Sequence, residues 1–343
     1  MQKNNILILG LGAFGYAVAR HIGKNNHDMT FFATEKNPEI FESIQNSRKH
    51  PYFFEDITDN MLPENIQLIE NIEEILPDTD IIISVIPCQF VASAFSEMKH
   101  KLKDGVIILN LAKGTNNQTL KTTSETLKEI LTPGCHKITQ SGILSLPEEK
   151  GAAINSYSYA YLAGGMIAEE LVAGNMLGAN IVTENLETGN ILQELFASHT
   201  LDINLKIGNP KNTELAAALK NIVALILGYY EGQGVGVSTL GYYFARLTRE
   251  MHSLIQLLGN PEKDIDFLDY AFSGDLITTC FGNSRNRLLG NMLGEGMGIE
   301  KALLEIQAQR KIAEGYETLK GIKKVIEKKE GFEEIKKFCE KYL

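Results

Sequence analysis

The stretch Glu214 to Gly236, ELAAALKNIVALILGYYEGQGVG, holds one lysine, Lys220, with Asn221 beside it, and between Leu215 and Gly228 these are the only polar side chains. A solvent-facing helix shows charges every three or four positions, so the pattern predicts a helix buried on nearly every side. An ammonium there is costly unless paired. One reading is a lysine whose stem packs while its head reaches water. The other is a proton-transfer lysine whose pKa is drawn towards neutrality by burial and neighbouring cations. Asn221, a second polar group on the same buried helix, favours the proton-transfer reading.

A second polar concentration runs from Phe272 to Asn286, FSGDLITTCFGNSRN, and reads as a polar loop at a domain interface. Asp275 and Thr279 are four apart and would share a face on a helical turn. Ser284, Arg285 and Asn286 set a fork donor between short donors, which suits a phosphate. The plainer alternative is a helix start capped by Ser284, with Arg285 paired to a surface acid.

The elements that must position these groups begin at the N-terminus. Asn5 to Leu9 is a short apolar run, and Gly10-Leu11-Gly12-Ala13-Phe14-Gly15 follows it and opens a helical pattern to about Gly23. Strand, glycine loop and helix in that order predict a dinucleotide site: a tight turn, a close backbone approach for a pyrophosphate, and close helix–strand packing. Freed N–H groups at the helix start would face the phosphates. A strand over Met29 to Ala33 ends near Glu35, placed to accept from an adenine-ribose hydroxyl or, alternatively, a surface glutamate. Adjacent Lys36 keeps NADP(H) open beside NAD(H), which Glu35 favours.

The alternation continues with strands at Ile66–Ile69, Ile81–Ile86 and Val106–Leu111 and helices at Ile72–Leu76, Phe90–Leu102 and Thr119–Leu131. It predicts a doubly wound parallel sheet. Ligands sit beyond the carboxyl ends of such strands, which singles out Pro87-Cys88-Gln89 and Ala112-Lys113-Gly114; Lys113 is then a second cation in the cleft, or a plain loop lysine. Strand-like segments at His136–Ile143 and Tyr159–Leu162 enclose an exposed loop at Leu146–Ala152. Gly164-Gly165-Met166 precedes a helix over Ile167–Ala173, and strand, helix and strand (Ala179–Val182, Leu186–Ala197, Leu201–Ile207) complete this half. From Asn209 only helical periodicity remains, including Ser238–Leu258 and Asp264–Tyr270. The expected division is a dinucleotide-binding Rossmann-type domain over 1–208 and an all-helical substrate domain over 209–343.

A chain of 343 residues fits about two domains of ~150 residues, hence a cleft between them. The net charge of −10 argues against nucleic acid or an anionic membrane as the main partner. Cys88, Cys135, Cys280 and Cys339 are scattered, indicating neither a disulfide framework nor a zinc site. A reducing cytosol fits, as does the lack of a signal-peptide pattern or an apolar run of ~18 residues.

Taken together these segments resemble the NAD(P)-dependent glycerol-3-phosphate dehydrogenase family over nearly the whole chain. GLGAFG looks like its cofactor loop, LAKG like its lysine-glycine element, and AALKN, GDLITTC and SRN like its helical-domain signatures. The resemblance implies a helical domain like that of 6-phosphogluconate dehydrogenase and a cytoplasmic enzyme of glycerol-3-phosphate metabolism and phospholipid biosynthesis. It implies Lys220 as the acid/base, with Asn221, Lys113, Asp275 and Thr279 around the reacting carbon. Arg285 and Asn286 would hold the substrate phosphate, with Ser284 and Gly164 adjoining. Gly10, Gly12, Ala13, Phe14, Gly15, Glu35, Pro87, Lys113, Ala168, Arg285, Ile312 and Glu314 would line the cofactor site, and a homodimer is an expectation. No metal is implied.

The chain departs from the family in two places. Gly164, Gly165, Met166, Ile167 and Ala168 stand where the family reads glycine, proline, serine or threonine, phenylalanine and alanine, so a substrate-facing hydroxyl is replaced by Met166. The family's tryptophan after the second strand is absent, with Phe32 or Ala33 in its place. The implied pair is sn-glycerol 3-phosphate and dihydroxyacetone phosphate. The departures keep open another phosphorylated polyol or a hydroxy acid, and a non-catalytic NADH sensor is the remaining alternative.

Overall fold

The computed structural model describes residues 4–116, 119–132, 138–139, 142–143, 156–261, 266–308 and 313–343. Strand β1 (Ile6–Leu9) is buried at all four positions, as a strand covered on both faces must be. After it come α1 (Ala13–Asn25), β2 (Phe31–Thr34), α2 (Pro38–Ser47), β3 (Ile66–Leu68), β4 (Ile81–Ser84), α3 (Cys88–Met98), β5 (Val106–Asn110) and α4 (Thr123–Leu131). Helix α2 lies outside the expected elements. Asn37 caps it, accepting from the Glu39 amide, and Pro38 supplies its first position, where a missing N–H costs nothing. The helix expected over Ile72–Leu76 is instead two short 3-10 turns, Ile72–Glu74 and Leu76–Asp78. Pro77 has no N–H with which to extend an α-helix.

The single strand expected over His136–Ile143 is a small antiparallel pair, β6 (Ile138–Thr139) and β7 (Gly142–Ile143), apart from the main sheet. The loop expected over Leu146–Ala152 lies outside the described residues. Next come β8 (Tyr157–Gly164), α5 (Ala168–Ala173), β9 (Leu177–Thr183), α6 (Leu186–Phe196) and β10 (Leu201–Ile207). The eight-stranded sheet has the order β10-β9-β8-β5-β4-β1-β2-β3. It is parallel throughout except between β8 and β9, which corrects the all-parallel expectation. The link there holds only the six-residue α5, stopped by left-handed Gly174, so the chain doubles back rather than crossing over. Helices α1, α2, α5 and α6 pack an apolar core on one face and α3 and α4 on the other.

After β10 every described element is helical, beginning with α7 (Lys211–Gly232) and α8 (Val237–Leu258). The helix expected over Asp264–Tyr270 is absent from its described part. A one-turn π-helix, Tyr270–Gly274, leads instead directly into α9 (Asp275–Phe281), so the segment read as a polar loop is largely helical. Then follow α10 (Arg285–Gly294), α11 (Ile299–Ala308), α12 (Glu314–Ile326) and α13 (Glu333–Tyr342). Helix α7 is the axis of this unit: every residue from Glu214 to Tyr229 is buried. Two glycines on α7 and two on α10 bring their backbones into contact. A Cβ on Gly228 or Gly232 would lie 2.2 Å from a carbonyl oxygen of α10, and one on Gly290 would lie 1.9 Å from the Leu225 carbonyl oxygen. Any side chain there would force the two helices apart. Gly315 of α12 approaches α7 as closely, 2.5 Å from the Asn221 carbonyl oxygen by the same measure. Lys220 and Asn221 are thus held on a helix clamped by two neighbours at backbone distance. Among the described residues no helix is long and apolar enough to cross a membrane.

Candidate active site

Lys220 and Asn221 are 3% and 5% exposed, which excludes a lysine head reaching bulk water. The Lys220 ammonium meets Oδ2 of Asp275, itself 1% exposed, while Oδ1 of Asp275 accepts from Lys113 Nζ at 3.0 Å. One buried carboxylate therefore bridges two lysines brought from the carboxyl end of β5 and from α7. Burial pulls the Lys220 pKa down to about 7; Asp275 opposes the fall and Lys113 adds to it. Burial also works against the Lys113 ammonium, but Asp275, a hydrogen bond with Lys220 and, least, Glu314 outweigh it and raise its pKa. The pair is thereby split into one fixed cation and one lysine poised near neutrality.

Lys113 is steered from two sides. Its Nζ also donates to the Gly164 carbonyl at 3.3 Å. Asn110, fully buried at the end of β5, accepts from the Ala112 amide through Oδ1 at 3.2 Å and shapes the loop that carries the lysine. The lone polar residue ending the apolar run VIILN was the signal for it. Gly165 presses on the start of α9, where a Cβ would lie 2.4 Å from Thr278 Oγ1 and 2.8 Å from the Gly274 carbonyl oxygen. Met166, the other departure, packs into the sheet core. Thr279 shares its helical face with Asp275, as its spacing predicts, and its hydroxyl donates to the Asp275 carbonyl at 2.7 Å.

The starting position of α7 is set by Glu214, 2% exposed. It accepts from the Ser124 amide at 3.0 Å and from the Tyr159 hydroxyl at 2.6 Å, tying α7 to α4 and β8. Nothing in the spacing of these residues announces the contact, because it joins three separate elements.

At the start of α10, Ser284 makes no side-chain cap and Arg285 is exposed. It is Arg287 that pairs with an acid, Glu231, through Nε at 2.8 Å and a terminal nitrogen at 2.5 Å. The capped-helix alternative for Ser284 and Arg285 is therefore not what forms. Asn286 is buried and accepts from the Gly315 amide at 2.9 Å, joining α10 to the start of α12. Glu314, half-buried, opens α12 and lies near enough to Lys113, Cys88 and Tyr161 to shift each of them electrostatically.

The glycine loop fits a dinucleotide at each glycine. Gly10 has φ +93°, open to glycine and strained for other residues; a Cβ on Gly15 would strike the Gly10 carbonyl oxygen at 2.0 Å; a Cβ on Gly12 would meet nothing within 4 Å. The space in front of Gly12 is the one a pyrophosphate needs, and α1 starts there, with Ala13 and Phe14, without a side-chain cap. Glu35 adjoins this loop, its Oε2 accepting from the Leu11 amide at 2.7 Å and its Oε1 from the Asn37 amide at 2.9 Å. Pro87 precedes the first turn of α3, and Ala168 opens α5 with its methyl in the core, leaving its backbone for any ligand contact. Ile312 lies outside the described residues.

Residues 210–341 match the family model described as NAD-dependent glycerol-3-phosphate dehydrogenase C-terminus, and residues 5–149 the one described as its N-terminus. The chain belongs to this family. A glycerol-3-phosphate dehydrogenase (NAD(P)+) of Thermoanaerobacter sp. is 30% identical over 319 residues, 92% of this chain and 85% of that protein. One from Fusobacterium nucleatum is 28% identical over 304 residues, 88% of this chain and 82% of that protein. Among solved structures, glycerol-3-phosphate dehydrogenase of Plasmodium falciparum superposes with a TM-score of 0.80 at 21% identity, covering 97% of this chain and 88% of that one. That of Coxiella burnetii gives 0.76 at 20% identity, covering 95% and 90%. Both share the fold: a Rossmann-type sheet followed by a helical unit.

Proposed function

We propose that this member of the glycerol-3-phosphate dehydrogenase family interconverts sn-glycerol 3-phosphate and dihydroxyacetone phosphate with NAD(H) or NADP(H). The observation that carries the mechanism is the single buried carboxylate, Asp275, between Lys113 and Lys220. When bound, the nicotinamide supplies or accepts hydride at the substrate carbon. Lys220 as ammonium donates a proton to the oxygen that becomes the hydroxyl, and as free amine removes it in the oxidative direction. Lys113, held charged by Asp275, stabilises negative charge on the same oxygen. Asp275 fixes both nitrogens, with Thr279 on its helical face and Asn221 beside Lys220 completing the wall. Arg285, Ser284 and Asn286 face the remote phosphate, whose binding aligns the carbonyl. Residues 1–208 would serve as the cofactor domain and 209–343 as the catalytic domain. A cytoplasmic homodimer belongs to the same reading, with light scattering the measurement for its assembly.

The test is turnover with a panel of phosphorylated and unphosphorylated ketones under NADH. Dihydroxyacetone phosphate should give the highest kcat/KM. A higher value for another ketone would move the assignment to a different dehydrogenase, and no turnover with any would leave the sensor reading.

For the cofactor, NADH should serve at least as well as NADPH, because Glu35 beside the glycine loop repels a 2′-phosphate. Lys36 is turned towards Glu97 on the surface, 3.6 Å away. Glu35→Gln keeps an acceptor for the Leu11 amide while removing the charge, so NADPH kcat/KM should rise several-fold relative to NADH. An unchanged ratio would place the choice elsewhere.

A further inference from the structure

Tyr161 is a fully buried tyrosine that the mechanism above does not use. It is 0% exposed, and its hydroxyl has no hydrogen-bond partner among the described residues. Two residues earlier on the same strand and face, the Tyr159 hydroxyl is paired with Glu214. Tyr161 packs with Ala217, one helical turn before Lys220, and with Ala271 in the π-turn that delivers Asp275. Across the sheet it is in register with Asn110, the residue that shapes the Lys113 loop. All three groups of the lysine–carboxylate bridge thus hang from segments that touch or adjoin this one ring. Burial, then the negative charges of Glu214 and Asp275, push the phenol far above its ordinary range, so its proton stays on and it remains a donor.

A buried hydroxyl with no protein hydrogen-bond partner lowers stability, and phenylalanine would fill the same volume without that cost. A tyrosine kept at such a place needs a reason outside the resting structure. Resting on the proposed function, we infer that Tyr161 is a positioning residue: its hydroxyl is held in reserve under the Lys113–Asp275–Lys220 bridge and donates into it when substrate draws Lys220 off the carboxylate. Asp275 then exchanges one of its two ammonium partners for a neutral donor, and Lys220 is released to face the substrate oxygen. The step moves no proton and breaks no covalent bond.

The experiment compares Tyr161→Phe with Tyr159→Phe, measuring thermal midpoint, kcat and KM for dihydroxyacetone phosphate with NADH. Tyr161→Phe should keep or raise the thermal midpoint, lower kcat by about three- to tenfold, the worth of one hydrogen bond, and leave both KM values within about twofold. Tyr159→Phe should do the opposite, lowering the midpoint by stripping a donor from buried Glu214 while keeping kcat. A Tyr161→Phe enzyme with parental kcat would overturn the inference, and so would one whose midpoint drops by several degrees, since the hydroxyl would then be paired at rest. A parent enzyme inactive on this substrate would instead sink the functional reading beneath it, so the two failures are told apart.

Discussion

Lys220→Ala should fold, bind NADH nearly as tightly as the parent, and lose kcat by roughly 10² to 10⁴, the range for removal of a general acid. Folding should survive because Asp275 is not left alone: Lys113 remains on its other oxygen at 3.0 Å. Breaking a buried pair outright costs about 3 to 5 kcal/mol, a sum that a chain with about 5 to 15 kcal/mol of stability barely tolerates. The retained partner should hold the loss below that. Lys220→Arg should fare little better in turnover, since a guanidinium keeps its proton near neutral pH and has no free-base form with which to cycle. The pH dependence gives an independent reading. With Lys220 pulled down to about 7 by burial, ketone reduction needs the protonated form, and its kcat should fall as pH rises through about 7. Alcohol oxidation needs the free amine and should gain rate over the same interval. Both limbs should vanish in the arginine variant. A Lys220→Arg enzyme with near-parental kcat would sink the assignment.

The Lys220 helix was legible because its chemistry is an exception within a run: a single charge among apolar residues has no structural use that requires it. The strand–loop–helix start was legible for a related reason, since Gly10, Gly12 and Gly15 each meet a different steric demand and their spacing encodes the order of those demands. Helix α9 was harder. Its seven residues follow directly on a π-turn and stop before Gly282, so its polar composition outweighed its short period, although the shared face of Asp275 and Thr279 came through. The reversal between β8 and β9 was hidden because apolar strands read alike in either direction, and only the brevity of α5 betrays it. Glu214 and Gly165 illustrate a different limit. Each acts through a contact with a segment far away in sequence, and a linear reading of residue types carries no information about which distant segment will arrive.

Arg285→Ala should weaken phosphorylated substrates far more than their dephosphorylated counterparts, and this separates a phosphate grip from a structural role. The start of α10 is furnished for an anion. Its first-turn amides have no side-chain cap from Ser284, Arg285 is exposed at the first helical position, and the neighbouring Arg287 is already committed to Glu231. Helix N-termini and guanidinium forks both favour a dianionic phosphate. Truncating one side of a charged pair that becomes desolvated costs about 2 to 5 kcal/mol. Because Arg285 begins exposed, part of its charge is screened before binding, so the low end applies: on the order of 30-fold in kcat/KM for dihydroxyacetone phosphate, at 1.4 kcal/mol per factor of ten. Dihydroxyacetone, which lacks the phosphate, should lose less than about threefold by the same arithmetic. Lys220 chemistry should be untouched, so the pH limbs of kcat should stay where the parent has them. Equal losses on the two substrates would move Arg285 out of the phosphate site and into a cofactor or packing role, leaving Ser284 and Asn286 without the charge their proposed task needs.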